Sequence, residues 1–244
     1  DYFDAIYLSD VVCKDPMFMA EGGAKNIARR DGMGTTLLSA VETIGRIPDA
    51  YFQAIGSGTG TIAAWENNLR LIEDGRFGTH KMRLYPSQND PFTIMYDSWK
   101  ADSRQLVPLS PEDARHQASV IKAKVLSNRK PPYPIAGGLF DAMKDAGGDM
   151  FKVNNDEIDF WKAKFLELEG VDIYSAAAVA TASLAQAIEE GKVGSDEVIM
   201  LNITGGGEKR SKAEFDVIQA KPALVLDPAL PEEEIISKVK ELFK

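Results

Sequence analysis

The 244-residue chain is 44% apolar and 27% charged, enough for one large domain or two small ones with a real core. Its formal charge of -9 argues against a nucleic-acid partner, which needs a basic face; one cysteine, Cys13, excludes an internal disulfide, and with His80 and His116 far apart it leaves no metal-ligand spacing, so no metal is expected. No apolar run approaches the roughly 18 residues of a membrane span and no secretory leader is legible, so a cytoplasmic location away from membranes is expected.

The chain begins at Asp1, not Met, inside a helical pattern (Phe3, Ile6, Tyr7, Val11). That start is expected of a piece of a longer polypeptide. Leu37, Leu38, Val41 and Ile44 predict a helix from about Asp31 to Gly45. Ala50 to Ile55 reads as a buried strand, Gly56 to Gly60 as a turn, and Ile62 to about Gly75 as a helix. Met82 to Tyr85 predicts a strand, and Pro91 to Ala101 and Pro111 to Leu126 predict helices, the second opened by Ser110, Pro111, Glu112 and Asp113. Three prolines stiffen the loop from Asn128 to Pro134. Gly137-Gly138 opens a helix to about Ala146, and Met150 to Val153 is a strand. Asn154 or Asn155 caps a helix to about Glu169, and Ser175 caps an alanine-rich one to Glu190. Val198 to Ile203 is a continuous apolar run, suited to a strand covered on both faces. A linker from Gln219 to Pro231 precedes an amphipathic helix from Glu232. Alternating strands and helices predict an α/β fold with a mostly parallel sheet flanked by helices.

Two turns carry the chemistry. Gly56-Ser57-Gly58-Thr59-Gly60-Thr61 joins a strand to a helix N-terminus, where unpaired N–H groups and the helix dipole favour an anion. It lacks the Lys-Ser/Thr ending of a P-loop and the third glycine of a dinucleotide fingerprint. Thr204-Gly205-Gly206-Gly207 follows the Ile203 strand. In open parallel sheets ligands gather at the carboxyl ends of strands, so both turns converge on one expected site. Arg29 and Arg30 suit an anionic substrate, because guanidinium binds phosphate or sulfonate bidentately.

The Gly56 loop and the Thr204-Gly205-Gly206-Gly207 turn resemble those of fold-type II pyridoxal-phosphate enzymes, the tryptophan synthase β-like group. Asn26-Ile27-Ala28-Arg29-Arg30-Asp31-Gly32-Met33-Gly34-Thr35 is similar to a threonine-synthase stretch, except that Gly34 stands where those enzymes usually carry Lys. Glu21 to Thr35, Asp49 to Gly60, Asn128 to Tyr133 and Leu201 to Gly207 resemble the cysteate synthases, threonine-synthase paralogues of methanogenic archaea. Thr61 and Ser175-Ala176-Ala177 depart from that family's pattern.

The resemblance implies pyridoxal 5'-phosphate as cofactor, its phosphate held by Gly56, Ser57, Gly58, Thr59 and Gly60 and its pyridine nitrogen by the Thr204 hydroxyl. It implies a β-replacement in which O-phospho-L-serine and sulfite give L-cysteate and phosphate, a step toward coenzyme M, in a homo-oligomer with small-molecule partners only. Arg29 and Arg30 are the implied substrate-binding residues. The family's Schiff-base lysine follows a phenylalanine far upstream of the glycine loop. Phe151-Lys152 and Phe243-Lys244 are at the wrong places, so no catalytic residue is assigned. Residues 1–244 are therefore expected to form most of the large cofactor-binding domain, inactive alone, with a small domain and the lysine segment upstream. Threonine synthesis from O-phosphohomoserine and a non-catalytic phosphate-ligand module are the alternative readings.

Overall fold

The computed structural model describes residues 2–244. After α1 (Tyr2–Val12), α2 (Ile27–Ile44) starts earlier than its apolar spacing predicts. The cause is Asn26, whose side chain accepts the Arg29 N–H at 3.3 Å and so caps the helix. β1 (Ala50–Ala54) leads through the glycine turn into α3 (Thr59–Asp74). β2 (Arg83–Asn89) runs past its predicted end, and α4 (Ile94–Lys100) is shorter than predicted.

α5 (Pro111–Val120) stops six residues short of Leu126. Beyond it, Asn155 Oδ1 accepts the Lys122 N–H and buried Asn89 Oδ1 accepts the Ala123 N–H, each at 3.0 Å. These amides take the donors that a continuing helix would have used. A 3-10 turn over Lys124–Leu126 follows. Then come α6 (Leu139–Ala146), β3 (Phe151–Val153) and α7 (Asn155–Glu169), the last capped by Asn154 in a capping box with Glu157. α8 (Ser175–Glu189) is capped by Tyr174 and not Ser175, without a side-chain hydrogen bond. β4 (Ile199–Leu201), α9 (Glu208–Glu214) and α10 (Glu232–Glu241) complete the order.

Among the described residues the strands form one four-stranded sheet, β3-β2-β1-β4, with every neighbouring pair parallel. The predicted α/β class with a mostly parallel sheet is what the structure has. β4 corrects one expectation: it is an edge strand, half-buried along its length, and not covered on both faces.

Strand alternation divides the core. Tyr51 and Ile55 join Leu37, Val41, Ile62, Leu84, Leu139 and Met143 under α2, α3 and α6. Ala50 and Phe52 point the other way, with Tyr85 and Phe151, toward α8. There Phe52 stacks on Tyr85 at 4.7 Å, and Tyr85 lies 6.0 Å from Phe151. From α8, buried Ala187 and half-buried Leu184 meet these rings, while Ala177, Ala178, Ala180 and Ala182, wholly buried, pack with Ala54, Val153 and Ile158. Full burial of a ring such as Phe52 contributes about 2–3 kcal/mol. The sheet is thus fixed from both sides, and the carboxyl ends of β1 and β4 deliver their loops to one edge.

Candidate functional site

β1 and β4 are adjacent and parallel, with Phe52 opposite Leu201 and the Asn202 N–H donating to the Phe52 carbonyl at 2.9 Å. The two glycine-rich turns therefore leave neighbouring strands in the same direction. A cavity of about 170 Å³ lies over the first turn, lined by Gly56, Ser57, Gly58, Thr59 and Gly60 together with Met33, Gln53 and Val125. A second, of about 560 Å³, is lined by Thr204, Gly205, Lys122, Lys124, Tyr174, Ser175 and again Val125. Val125 lines both.

Each glycine of the turn has its own reason. Gly58 caps α3 at φ 79°, in the left-handed region that glycine enters without strain. A Cβ on Gly56 would lie 2.9 Å from the Val125 carbonyl oxygen, and one on Gly60 would lie 2.5 Å from Gln53 Nε2. Side chains at these places would fill the hollow between the turn and its walls.

The turn's donors are available. Among the described residues, no hydrogen bond engages the backbone N–H of Gly56, Ser57, Gly58, Gly60 or Thr61. The Thr59 N–H makes a long 3.3 Å contact to Ser57 Oγ. Buried N–H groups rarely stay unpaired, and here they ring a cavity at the positive end of a 16-residue helix. That is the hydrogen-bonding demand of a phosphate. The Thr204 hydroxyl likewise engages no other described residue and lines the larger cavity, where it can meet a ring nitrogen. The residues present fit the two polar ends of pyridoxal phosphate.

Arg29 and Arg30 line neither cavity. Arg29 Nε pairs with Glu21 at 2.7 Å on the surface. Arg30 Nε pairs with Glu66 of α3 at 2.8 Å, and its guanidinium also donates to the Ala24 carbonyl. Four residues further along α2, Gly34 crosses α3 so closely that a Cβ there would lie 1.7 Å from Asn67 Nδ2. The two contacts set α2 over the glycine turn and bring Met33 to the cavity wall.

Neither lysine of the two Phe-Lys pairs lines either cavity. Lys152 pairs with Asp90 at 3.3 Å, and Lys244 lies exposed at the end of the chain. Of the two lysines at the larger cavity, Lys122 pairs with Asp159, and Lys124 Nζ donates to the Ala118 carbonyl at 3.0 Å.

Gln53, Val125, Tyr51 and Asn202 were not anticipated at the site. Val125 was hidden by the prediction of an unbroken helix to Leu126. The others left a signal: Gln53 and Asn202 are polar residues inside apolar strand runs. Asn202 Nδ2 donates to Tyr51 Oη at 2.8 Å, and Tyr51 Oη donates to Gln53 Oε1 at 2.8 Å. Burial pushes the Tyr51 hydroxyl up to about 12, against the pull of Asn202, so it stays neutral and both accepts and donates.

The profile of the family described as pyridoxal-phosphate dependent enzymes matches residues 9–205. A cysteate synthase of Methanosarcina acetivorans is 49% identical over 237 residues, 96% of this chain and 57% of that protein. One of Methanosarcina mazei is 50% identical over 227 residues, 93% of this chain and 55% of its own length. The chain thus spans about half the length of the curated relatives it matches. Among solved structures, a threonine deaminase of T.th. superposes with a TM-score of 0.53 at 13% identity, covering 75% of this chain and 58% of that one. An L-serine ammonia-lyase from Rhizomucor miehei gives 0.52 at 12% identity, covering 77% and 56%. Those two similarities establish a shared fold. The profile match and the two relatives near 50% identity, with the parallel α/β fold in agreement, show that this chain belongs to the pyridoxal-phosphate dependent enzymes.

Proposed function

We propose that the chain is the cofactor-binding part of an enzyme that converts O-phospho-L-serine and sulfite to L-cysteate and phosphate. The observation that carries this reading is the roughly 50% identity, over nearly the whole chain, to proteins named cysteate synthase. In the reaction the β-carbon loses its bond to the phosphate oxygen and gains one to the sulfite sulfur, with no net oxidation or reduction. The bound cofactor supplies the electron sink that makes the substrate's α-proton acidic and its β-phosphate a ready leaving group.

This chain's residues do the holding. The N–H groups of the turn from Gly56 to Gly60 bind the cofactor phosphate, with the α3 dipole behind them. The Thr204 hydroxyl hydrogen-bonds the pyridine nitrogen. That hydroxyl is neutral, so it would orient the ring through a hydrogen bond and bring no charge to the nitrogen. Val125 and Met33 wall the cavity. For the anionic substrate, Arg29 is the better of the two arginines. Its pair with Glu21 is exposed on both sides and so is weak and readily exchanged, whereas Arg30 is held between α3 and the Ala24 carbonyl.

The reading places the lysine that joins the cofactor outside these 244 residues, in an upstream segment with the smaller domain, because Lys152 and Lys244 lie away from both turns. It further assigns the full protein to the cytoplasm as a homo-oligomer. Among the described residues no helix is long and apolar enough to cross a membrane.

The test is product identity. Full-length protein with pyridoxal phosphate is given O-phospho-L-serine plus sulfite, and separately O-phosphohomoserine. The expected outcome is cysteate and phosphate in equal amounts from the first mixture and no threonine from the second. Threonine from the second mixture supports the threonine-synthase reading instead, and no product from either, with cofactor bound, supports a non-catalytic module.

A further inference from the structure

Gln53 and Asn202 are polar in strands that otherwise bury apolar side chains, and Tyr51 connects them. The chain of hydrogen bonds runs from Asn202 Nδ2 to Tyr51 Oη, and from Tyr51 Oη to Gln53 Oε1, at 2.8 Å each. Thr61 Oγ1 adds a longer bond to the same Gln53 oxygen at 3.4 Å. With two hydroxyls on its oxygen, the Gln53 amide is held face-on against Gly60, its Nε2 and Oε1 2.5 and 2.6 Å from where a Cβ there would lie, at the wall of the smaller cavity. One end of this chain is two residues before Thr204. The other is the first turn of α3. Tyr51 and Thr61 are almost wholly buried, and Gln53 is 8% exposed. A phenylalanine at 51 would fill the same space without needing partners, so a buried hydroxyl there is costly unless every member of the network is satisfied.

We propose that Tyr51, acting through Asn202 and Gln53, is a positioning relay that holds the glycine cradle and Thr204 at a fixed separation. A ligand spanning both turns, anionic at one end and carrying a ring nitrogen at the other, then binds both at once. Tyr51 itself touches no ligand. The inference rests on the pyridoxal-phosphate reading of the two turns. The relay sets a distance, so it acts on a ligand that bridges the turns and not on one that occupies the cradle alone.

A double-mutant cycle tests this on the full-length protein. The variants are Tyr51→Phe, Asn202→Ala and the double substitution. Affinities for pyridoxal phosphate and for inorganic phosphate are measured by titration, with the melting temperature of each cofactor-free variant. The expected result is about tenfold weaker pyridoxal phosphate binding in each single variant, the same loss in the double variant, and unchanged inorganic phosphate affinity. Single variants that bind pyridoxal phosphate like the parent overturn the relay. So do losses that multiply in the double variant, or inorganic phosphate affinity that falls in parallel, the sign of a general loosening. If Tyr51→Phe does not fold, the half-buried Asn202→Ala gives the same reading alone, with retained pyridoxal phosphate affinity as the overturning result. A Gly58→Asp variant separates the two levels. If it loses pyridoxal phosphate while Tyr51→Phe does not, only the relay fails. A parent protein that binds no pyridoxal phosphate overturns the site reading and the relay together.

Discussion

The carbonyl oxygen of Val125 lies 2.9 Å from where a Cβ on Gly56 would be. The wall of the cavity is therefore backbone, packed directly on the first glycine of the turn. A backbone wall cannot swing aside as a flexible side chain can, so the cavity's shape depends on residue 56 having no side chain.

Gly56→Ala is the mildest test of that contact. The added methyl must push the segment at Val125 and Leu126 outward. The expected outcome is about tenfold weaker pyridoxal phosphate binding by the full-length protein, with near-UV circular dichroism retained. Unchanged affinity would mean that the wall yields freely.

The crossing of α2 and α3 predicts a stability effect. Gly34→Lys introduces the residue usual in threonine synthases at a place where even a Cβ meets Asn67 Nδ2 at 1.7 Å. Overpacking of this kind costs about 1–3 kcal/mol, so the melting temperature is expected to fall by about 5 °C. A variant that melts with the parent would show that the helices separate easily.

The two arginines are expected to behave differently. Arg30→Ala removes a half-buried tie from α2 to Glu66 and is expected to lower the melting temperature by about 3 °C. Arg29→Ala breaks an exposed pair and is expected to change it by less than about 1 °C. If Arg29 meets the substrate phosphate, the same variant raises KM for O-phospho-L-serine about tenfold in the full-length enzyme.

Asp149 predicts a pH dependence away from the site. Burial raises its pKa, but hydrogen bonds from Lys100, Lys192, the Met150 N–H and Trp99 outweigh that and hold it down at about 2. Its folded value lies below its ordinary value of 3.8, so the stability it contributes is present above pH 3.8 and lost as pH falls through about 2. Asp149→Asn is expected to lower the melting temperature at pH 7, and the gap from the parent is expected to close between about pH 4 and 2. A gap that stays constant over that range would place its cause outside the charge.

Much of this was legible in the sequence because local chemistry decided it. The glycine turn between β1 and α3 was readable from its own residues, and so was a cap at Asn154 or Asn155, of which the structure uses Asn154. What was not legible depended on distant partners. Val125 reaches the site because Asn89 and Asn155, far along the chain, take the N–H groups of Lys122 and Ala123. Arg29 and Arg30 look equivalent in sequence, but α3 supplies Glu66 to one of them only. β4 is apolar in sequence yet half-buried, because burial depends on what lies beside the sheet edge and not on the strand's own residues.

The central claim is that the turn from Gly56 to Gly60 binds the phosphate of pyridoxal phosphate. Its most direct test compares the affinities of the full-length protein and its Gly58→Asp variant for pyridoxal phosphate and for pyridoxal, which lacks the phosphate. The account predicts that the parent prefers pyridoxal phosphate by about a hundredfold, roughly 2.8 kcal/mol, and that the variant loses this preference. Equal affinities in the parent, or a preference that survives in Gly58→Asp, would contradict it.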